Sequence, residues 1–327
     1  MIDWGAIFSN AAVELISPTT AAYALAALGL AIHFGYTGLL NFGQAGFMAL
    51  GAYGYAISIL TFGFPVWGAF LVGVGASVVF ALILGIPTLR LRADYLAIVT
   101  IAAAEIVRLL FTTNTFAAVT GSANGLSGYK NEFAALNPIP AGTYGFGPFT
   151  NNEYDWWLRI VAWSIVILAC LLTWSIMRSP WGRVIKGIRE DEDAVRALGK
   201  NVYAYKMQSL ILGGVFGTIA GMIFALPRAV VPSNYMTTLT FFIYAILLLG
   251  GAATILGPVI GSMIFWVLLS FFSGFIARAQ EAGWFPFMTS IQAGQVRFIL
   301  VGVAIMLIVI FRPQGIFGNK KELAFVQ

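Results

Sequence analysis

Charge is what this sequence lacks. Only 9% of its 327 residues are Asp, Glu, Lys or Arg, while 60% are hydrophobic; a soluble domain carries roughly 25% charged residues. A chain so poor in charge cannot cover a water-facing surface, which excludes a cytosolic enzyme, a nucleic-acid-binding module and a disordered regulator. Cysteine occurs once, at Cys170, so no intrachain disulfide forms and cysteine usage leaves the redox compartment open. Histidine also occurs once, at His33, with no Cys, Asp or Glu near it in sequence. A polar contact inside a helix bundle is expected there, not a metal site. Before the first apolar stretch there is no basic region, only Asp3 and Glu14, which argues against a cleaved secretory signal.

What is present fits a lipid-embedded chain. Mean hydropathy is +0.88, and the 36 Gly match the small-residue content of packed transmembrane helices. The formal charge of +5 is no nucleic-acid signature, because the basic residues stand between apolar spans. The fold class expected is all-α: a polytopic membrane helical bundle of about nine spans, including a broken or re-entrant segment. A helix needs roughly 20 apolar residues to cross a bilayer. The spans read as Thr19–Tyr36, Gly43–Phe62, Phe64–Ile86, Tyr95–Thr113, Asp155–Met177, Tyr205–Leu226, Leu239–Gly251, Leu256–Phe272 and Val296–Phe311. The stretch from Leu239 to Phe272 is too long for one span and is broken by Gly250, Gly251, Gly257 and Pro258. That turn has to lie in protein or near the water boundary, since its backbone groups find no partner in lipid. The whole chain, residues 1–327, reads as a single transmembrane domain.

Basic residues orient it. Arg90 and Arg92 form one loop; Arg178, Arg183, Lys186, Arg189, Arg196, Lys200 and Lys206 a second; Arg312, Lys320 and Lys321 a third. The opposite long loop, 114–154, holds only Lys130 among the basic residues. By the positive-inside rule the three basic loops and the C-terminus face the cytoplasm, and an odd span count puts the N-terminus outside. Trp156, Trp157 and Trp181 are expected as interfacial anchors.

Segment 178–204 is the charged exception. Arg178 to Lys200 holds about a third of all the charge in the chain. Ser179 suits a helix cap, Pro180 the first turn and Gly199 the end. Val184, Ile188, Val195 and Leu198 recur at helical spacing as an apolar stripe. Two readings fit: a solvated helix that fixes topology by its charge, or a docking helix whose stripe fills a partner's groove.

GRVIKGIREDEDAVRALGKNVYAYK resembles the coupling segment of permease subunits of branched-chain amino acid ABC importers. GLLNFGQAGFMALGAY, LRLRADYLAIVTIAAAEIVR and LLGGAATILGPVIGS resemble other stretches of the same family, in the same order and across most of the chain. The resemblance implies a permease that pairs with a second, homologous permease subunit, with two cytoplasmic ATP-binding subunits and with an extracytoplasmic substrate-binding protein. It implies ATPase coupling through Gly182, Arg183, Ile188, Arg189, Glu190, Asp191, Glu192, Ala194, Leu198 and Gly199, and docking of the binding protein on an ordered 114–154 loop; the plain alternative for that loop is a linker. The implied setting is a prokaryotic plasma membrane. No cofactor is expected in this chain, because ATP is used by the partner subunits. A phosphate-cradling loop needs Gly, four residues, then Gly-Lys-Ser/Thr, and Gly199-Lys200 is followed by Asn201 with no Gly upstream in register.

Polar residues within spans mark paths or structural pairs. Asn41 and Gln44 flank a turn with Gly35, Gly38, Gly43 and Gly46 nearby. They either line a broken helix at a substrate path, where amides suit a zwitterion, or hydrogen-bond across a tight helix contact. Glu105 and Arg108 share a helix face as a neutralising structural pair or as part of the path's outer mouth. Asp94 is expected to complement the start of the same helix. The function expected is translocation of branched-chain amino acids by alternating access, driven by partner ATPases; a permease for urea or a short amide is the alternative within the family. A self-sufficient secondary transporter or channel would need midplane carboxylates, and Glu105 is the only acidic residue well inside a span. An intramembrane enzyme would need a converging nucleophile, base or metal set, and none is visible.

Overall fold

The fold is seen in a computed structural model, described over residues 3–89, 93–284, 289–312 and 314–318. Arg90, Arg92, Lys320, Lys321 and the side chain of Asp94 lie outside the described residues. The helices are α1 Trp4–Glu14, α2 Pro18–Leu30, α3 Gln44–Leu60, α4 Val66–Thr88, α5 Ala93–Thr112, α6 Ala117–Thr120, α7 Lys130–Ala135, α8 Glu153–Arg178, α9 Pro180–Glu190, α10 Glu192–Ala197, α11 Val202–Ala225, α12 Thr237–Gly250, α13 Gly257–Glu281 and α14 Ser290–Phe311. A π-helical segment, Ala31–Tyr36, continues α2. The only strands among the described residues are Thr143–Tyr144 and Asn151–Asn152, paired antiparallel.

Each expected span coincides with one of these helices. Five are long and apolar enough to cross a membrane alone: α4, α5, α8, α11 and α13; α3 and α12 are shorter. The sequence reading missed α1, which joins α2 at a 46° bend. Ser17 makes the joint, its hydroxyl accepting from Thr20 N (3.1 Å) with Pro18 at the first helical position. The apolar side of α1 lies on α13, with Trp4 stacked on Phe275 (5.9 Å) and Phe8 tilted against Phe271 (5.5 Å). The span expected to close at Phe272 runs on to Glu281.

α11 runs through the middle, between α2 and α3, and is buried over most of its length. It gets there by having almost no side chain at its crossings. A Cβ on Gly221 would strike the backbone of Met48, one on Gly51 the backbone of Thr218, and one on Gly29 the carbonyl of Gly213. Close backbone approach is the usual source of helix association in lipid. Hydroxyls add ties across it: Thr218 donates to the Phe47 carbonyl (3.1 Å) and Ser262, from α13, to that of Thr20 (2.7 Å).

The bundle has two distinct ends. At one, Gly35 abuts Ala252, and Ile316 and Phe317 donate to the carbonyls of Leu249 and Gly250 (3.0 Å each), so the glycine turn between α12 and α13 is covered by protein. α9 and α10 lie at this end too. At the other end the 114–154 segment folds into short helical turns pinned to the loop after α11. Leu126 and Val230 exchange backbone hydrogen bonds (2.8 and 2.9 Å). The buried Tyr129 hydroxyl donates to the carbonyls of Ala225 (2.7 Å) and Arg228 (2.6 Å), and burial pushes that phenol well above its ordinary range.

Gly221→Val places branched carbons against the Met48 backbone, which cannot yield without parting α3 from α11. It is expected to destabilise the detergent-solubilised protein by roughly 1–3 kcal/mol or more, read as a lower midpoint in thermal unfolding. Gly75→Ala, where a Cβ meets nothing, is expected to leave that midpoint unchanged or slightly raised.

Candidate functional site

Between Tyr36 and Gln44 the chain leaves helical geometry while still inside the bundle. Gly38 makes the turn at φ +75°, a conformation open to glycine at little cost. Non-helical backbone at membrane depth has to be bonded within protein, and the neighbouring side chains supply the partners. Asn41 Oδ1 accepts from Gly43 N (2.8 Å), Thr100 Oγ1 from Phe42 N (3.0 Å) and Thr240 Oγ1 from Ala45 N (2.9 Å). Tyr244 donates its hydroxyl to the Asn41 carbonyl (3.1 Å). Three elements, α5, α12 and the turn itself, therefore hold one seven-residue break.

Asn41 and Gln44 are both fully buried. The Asn41 amide donates to His33 Nδ1 (3.0 Å) and to Gln44 Oε1 (3.4 Å). Gln44 donates to the carbonyls of Ala26 (3.2 Å) and Gly213 (3.3 Å). His33 Nε2 lies 3.1 Å from the Leu210 carbonyl. A carbonyl can only accept, so Nε2 carries the proton; Nδ1 is then the bare nitrogen that receives the Asn41 amide. The imidazole is neutral in this arrangement, since a proton on Nδ1 would face another donor. Thr37 and Ser209 close the same region with a 2.6 Å hydroxyl pair. The two amides thus bond across a tight helix contact, linking α2, α3 and α11.

Glu105 and Arg108 meet on α5 in a bidentate contact, with Arg108 Nε 2.9 and 3.0 Å from the two carboxylate oxygens and Nη2 2.5 Å from one of them. The Glu105 side chain is 37% exposed and that of Arg108 15%. No bond among the described residues joins this pair to Asn41 or Gln44.

The charged segment differs from its expected form in two ways. It is two helices, because Asp191 leaves helical geometry and caps α10, accepting from Asp193 N (2.9 Å) and Ala194 N (3.0 Å). Most of its apolar stripe faces the protein's own bundle: Ile188 and Val195 are buried, as is Ile185 beside them, and Val184 is partly buried against the core. Leu198, counted in that stripe, is instead 78% exposed. Gly182 sits against the Met177 backbone, with no room for a Cβ, and Gly199 turns the chain at φ +75°. Arg183, Glu190, Asp191 and Ala194 are exposed. Glu192 pairs with Arg196 (2.9 Å) and with Lys206 on α11.

Arg189 ties this segment to the break. Its Nη1 donates to the Gly35 carbonyl (2.5 Å), its Nη2 lies 3.1 Å from Glu190, and its stem lies 3.3 Å from where a Cβ on Gly38 would stand. The carbonyl belongs to the π-helical segment that carries His33. Sequence reasoning named Arg189, Asn41 and Gln44 but not Gly35 and Tyr244, which bond Arg189 and Asn41, nor Thr100 and Thr240, which accept from Phe42 N and Ala45 N; hydroxyls in apolar spans were the available signal.

Comparison with known proteins gives the family. Residues 13–311 match the family described as "Branched-chain amino acid transport system / permease component". The high-affinity branched-chain amino acid transport system permease protein LivM of Salmonella typhimurium is 30% identical, over 96% of this chain and 72% of its own; that of Escherichia coli is 29% identical over the same shares. A probable branched-chain amino acid transport permease protein LivM of Methanocaldococcus jannaschii is 26% identical over 91% of each chain. The chain belongs to the branched-chain amino acid transport permease family, a multi-pass membrane component of ABC importers.

Proposed function

We propose that this chain forms half of the membrane path of a binding-protein-dependent importer of branched-chain amino acids, and that it works by alternating access. In this reading the end carrying α9 and α10 faces the cytoplasm, as its basic residues favour. Two ATP-binding subunits seat there, a homologous permease stands alongside, and the 114–154 segment receives the substrate-binding protein outside. ATP is bound and split by the ATPase subunits alone.

The observation that carries the reading is the Arg189–Gly35 bond. α9 presents charge outward and grips, through one guanidinium, the segment where α2 gives way to the break. A push on the exposed residues Arg183, Glu190, Ala194 and Leu198 moves Arg189, and Arg189 moves Gly35 and Gly38. The break then shifts, and the donors and acceptors of Asn41 and Gln44 are exchanged from protein partners to a zwitterionic solute.

Extraction of the complex in mild detergent is expected to recover two ATPase subunits and a second permease with this chain; recovery as a lone monomer or homodimer contradicts the assembly. Leu198→Asp removes the exposed apolar side chain at the C-terminal end of α10 without touching the bundle, and is expected to lower ATPase recovery while the permease stays folded. Arg189→Gln keeps a donor but loses the reach and charge that grip Gly35, a bond worth about 1.5–3 kcal/mol for a charged donor. In reconstituted vesicles it is expected to leave ATP hydrolysis in place while leucine uptake falls at least tenfold. Uptake and hydrolysis falling in parallel would place Arg189 in ATPase seating instead.

A further inference from the structure

We propose that the outward side of α5 is the surface on which the second membrane subunit docks, with the Glu105–Arg108 pair inside that interface; this rests on the pairing stated above. α5 is the barest of the five long helices, with only 17% of its Tyr95–Thr112 window buried. Its inward residues lie on α3 and α4. Its outward residues Tyr95, Ile98, Ala102, Glu105 and Leu109 follow one another at steps of three, four, three and four, the spacing of a single helix-packing seam. Tyr95, Ile98 and Leu109 are at least half exposed, and Ala102 at the centre of the seam is small enough for close approach by a neighbouring helix.

Apolar residues alone would suit lipid equally well. Glu105 does not. It stands seven residues before the end of α5, about 10 Å along the helix axis at 1.5 Å per residue, and so within the hydrocarbon. A charged side chain there is costly, and such residues face protein or a water-filled cavity. Arg108 neutralises the charge but does not cover it. The Glu105 side chain is over a third exposed, and Arg108 Nη1 makes no hydrogen bond among the described residues. α4 shows the contrast: Trp67, Leu71, Val79, Ile83 and Ile86 are exposed on a helix with no charged residue at all, a face fit for lipid. The seam on α5 calls for a transmembrane helix that brings a hydrogen-bond acceptor to the level of Arg108, which a related permease subunit can supply.

The sole cysteine makes the test direct. In the complete importer carrying Cys170→Ala, single cysteines replace Ile98, Ala102 or Leu109 on α5, and Val79 or Ile83 on α4 as lipid-facing controls. Spin labels at the α5 positions are expected to be immobilised and severalfold less accessible to oxygen than those on α4. The same cysteines are expected to cross-link to the second permease. Ala102→Phe, which fills the seam without touching this chain's own core, is expected to lower recovery of that subunit severalfold. Oxygen accessibility on α5 equal to that on α4, in a complex whose second permease is present, overturns the inference and leaves the pairing intact. Free access of a water-soluble nickel chelate without cross-linking assigns the face to an aqueous channel and overturns it as well. A preparation with no second membrane subunit fails the pairing itself and is recognised by its composition.

Discussion

Seven residues of non-helical backbone inside an apolar bundle are the constraint on which the rest turns. Each peptide group placed there without a partner costs several kcal/mol in hydrocarbon, so the break at residues 37–43 exists only because α5, α12 and the break itself bring it acceptors and donors. Thr100 comes from α5, Thr240 and Tyr244 from α12, and Asn41 Oδ1 from the break itself. Any motion of the break therefore has to exchange those bonds for others and cannot simply abandon them. That requirement favours a switch between two bonded arrangements over continuous bending, because a half-bonded state carries the full desolvation cost.

The glycine contacts say where such a switch cannot be placed. α2, α3 and α11 meet backbone to backbone at Gly29, Gly51, Gly213 and Gly221, with Thr218 bonded across the junction. Dense packing of this kind moves as one body. Compliance is left to the joints: the π-helical segment, the break and the Asp191 corner between α9 and α10. Arg189 reaches two of the three, its Nη1 bonded to the π-helical carbonyl of Gly35 and its stem lying against Gly38 in the break. A charged hydrogen bond into a joint transmits displacement better than apolar contact does, because it is directional and short.

Much of the fold was legible from runs of apolar residues. Nine such runs correspond to nine helices, and the glycine turn at 250–258 was placed where it lies. α1 escaped because its eleven residues, Trp4–Glu14, are too few for a span; it becomes part of the bundle only by bending onto α13. The overrun of α13 past Phe272 has the opposite cause, since Arg278 and Glu281 end an apolar run without ending a helix, and they pair at 3.2 Å on its last turn. The Asp191 corner had a visible signal, an Asp followed by two acidic residues in a first turn. It was hidden by the single apolar stripe that seemed to run through it.

The candidate site was legible in its residues and not in its partners. An amphipathic helix reports that one side is buried without reporting whose surface buries it, and here Ile185, Ile188 and Val195 are covered by the protein's own bundle. Residue types at 41 and 44 announced a polar break, but which hydroxyls satisfy it depends on contacts up to 203 residues apart in sequence. Glu105 and Arg108 are the inverse case. Their pairing follows from spacing alone, yet the consequence appears only once the rest of the fold is seen to leave them uncovered. A carboxylate on the outer side of a lone subunit, at a depth where lipid would be, is a surface whose stability belongs to an assembly. On the docking inferred for α5, the second membrane subunit supplies the burial that this chain leaves undone around Glu105.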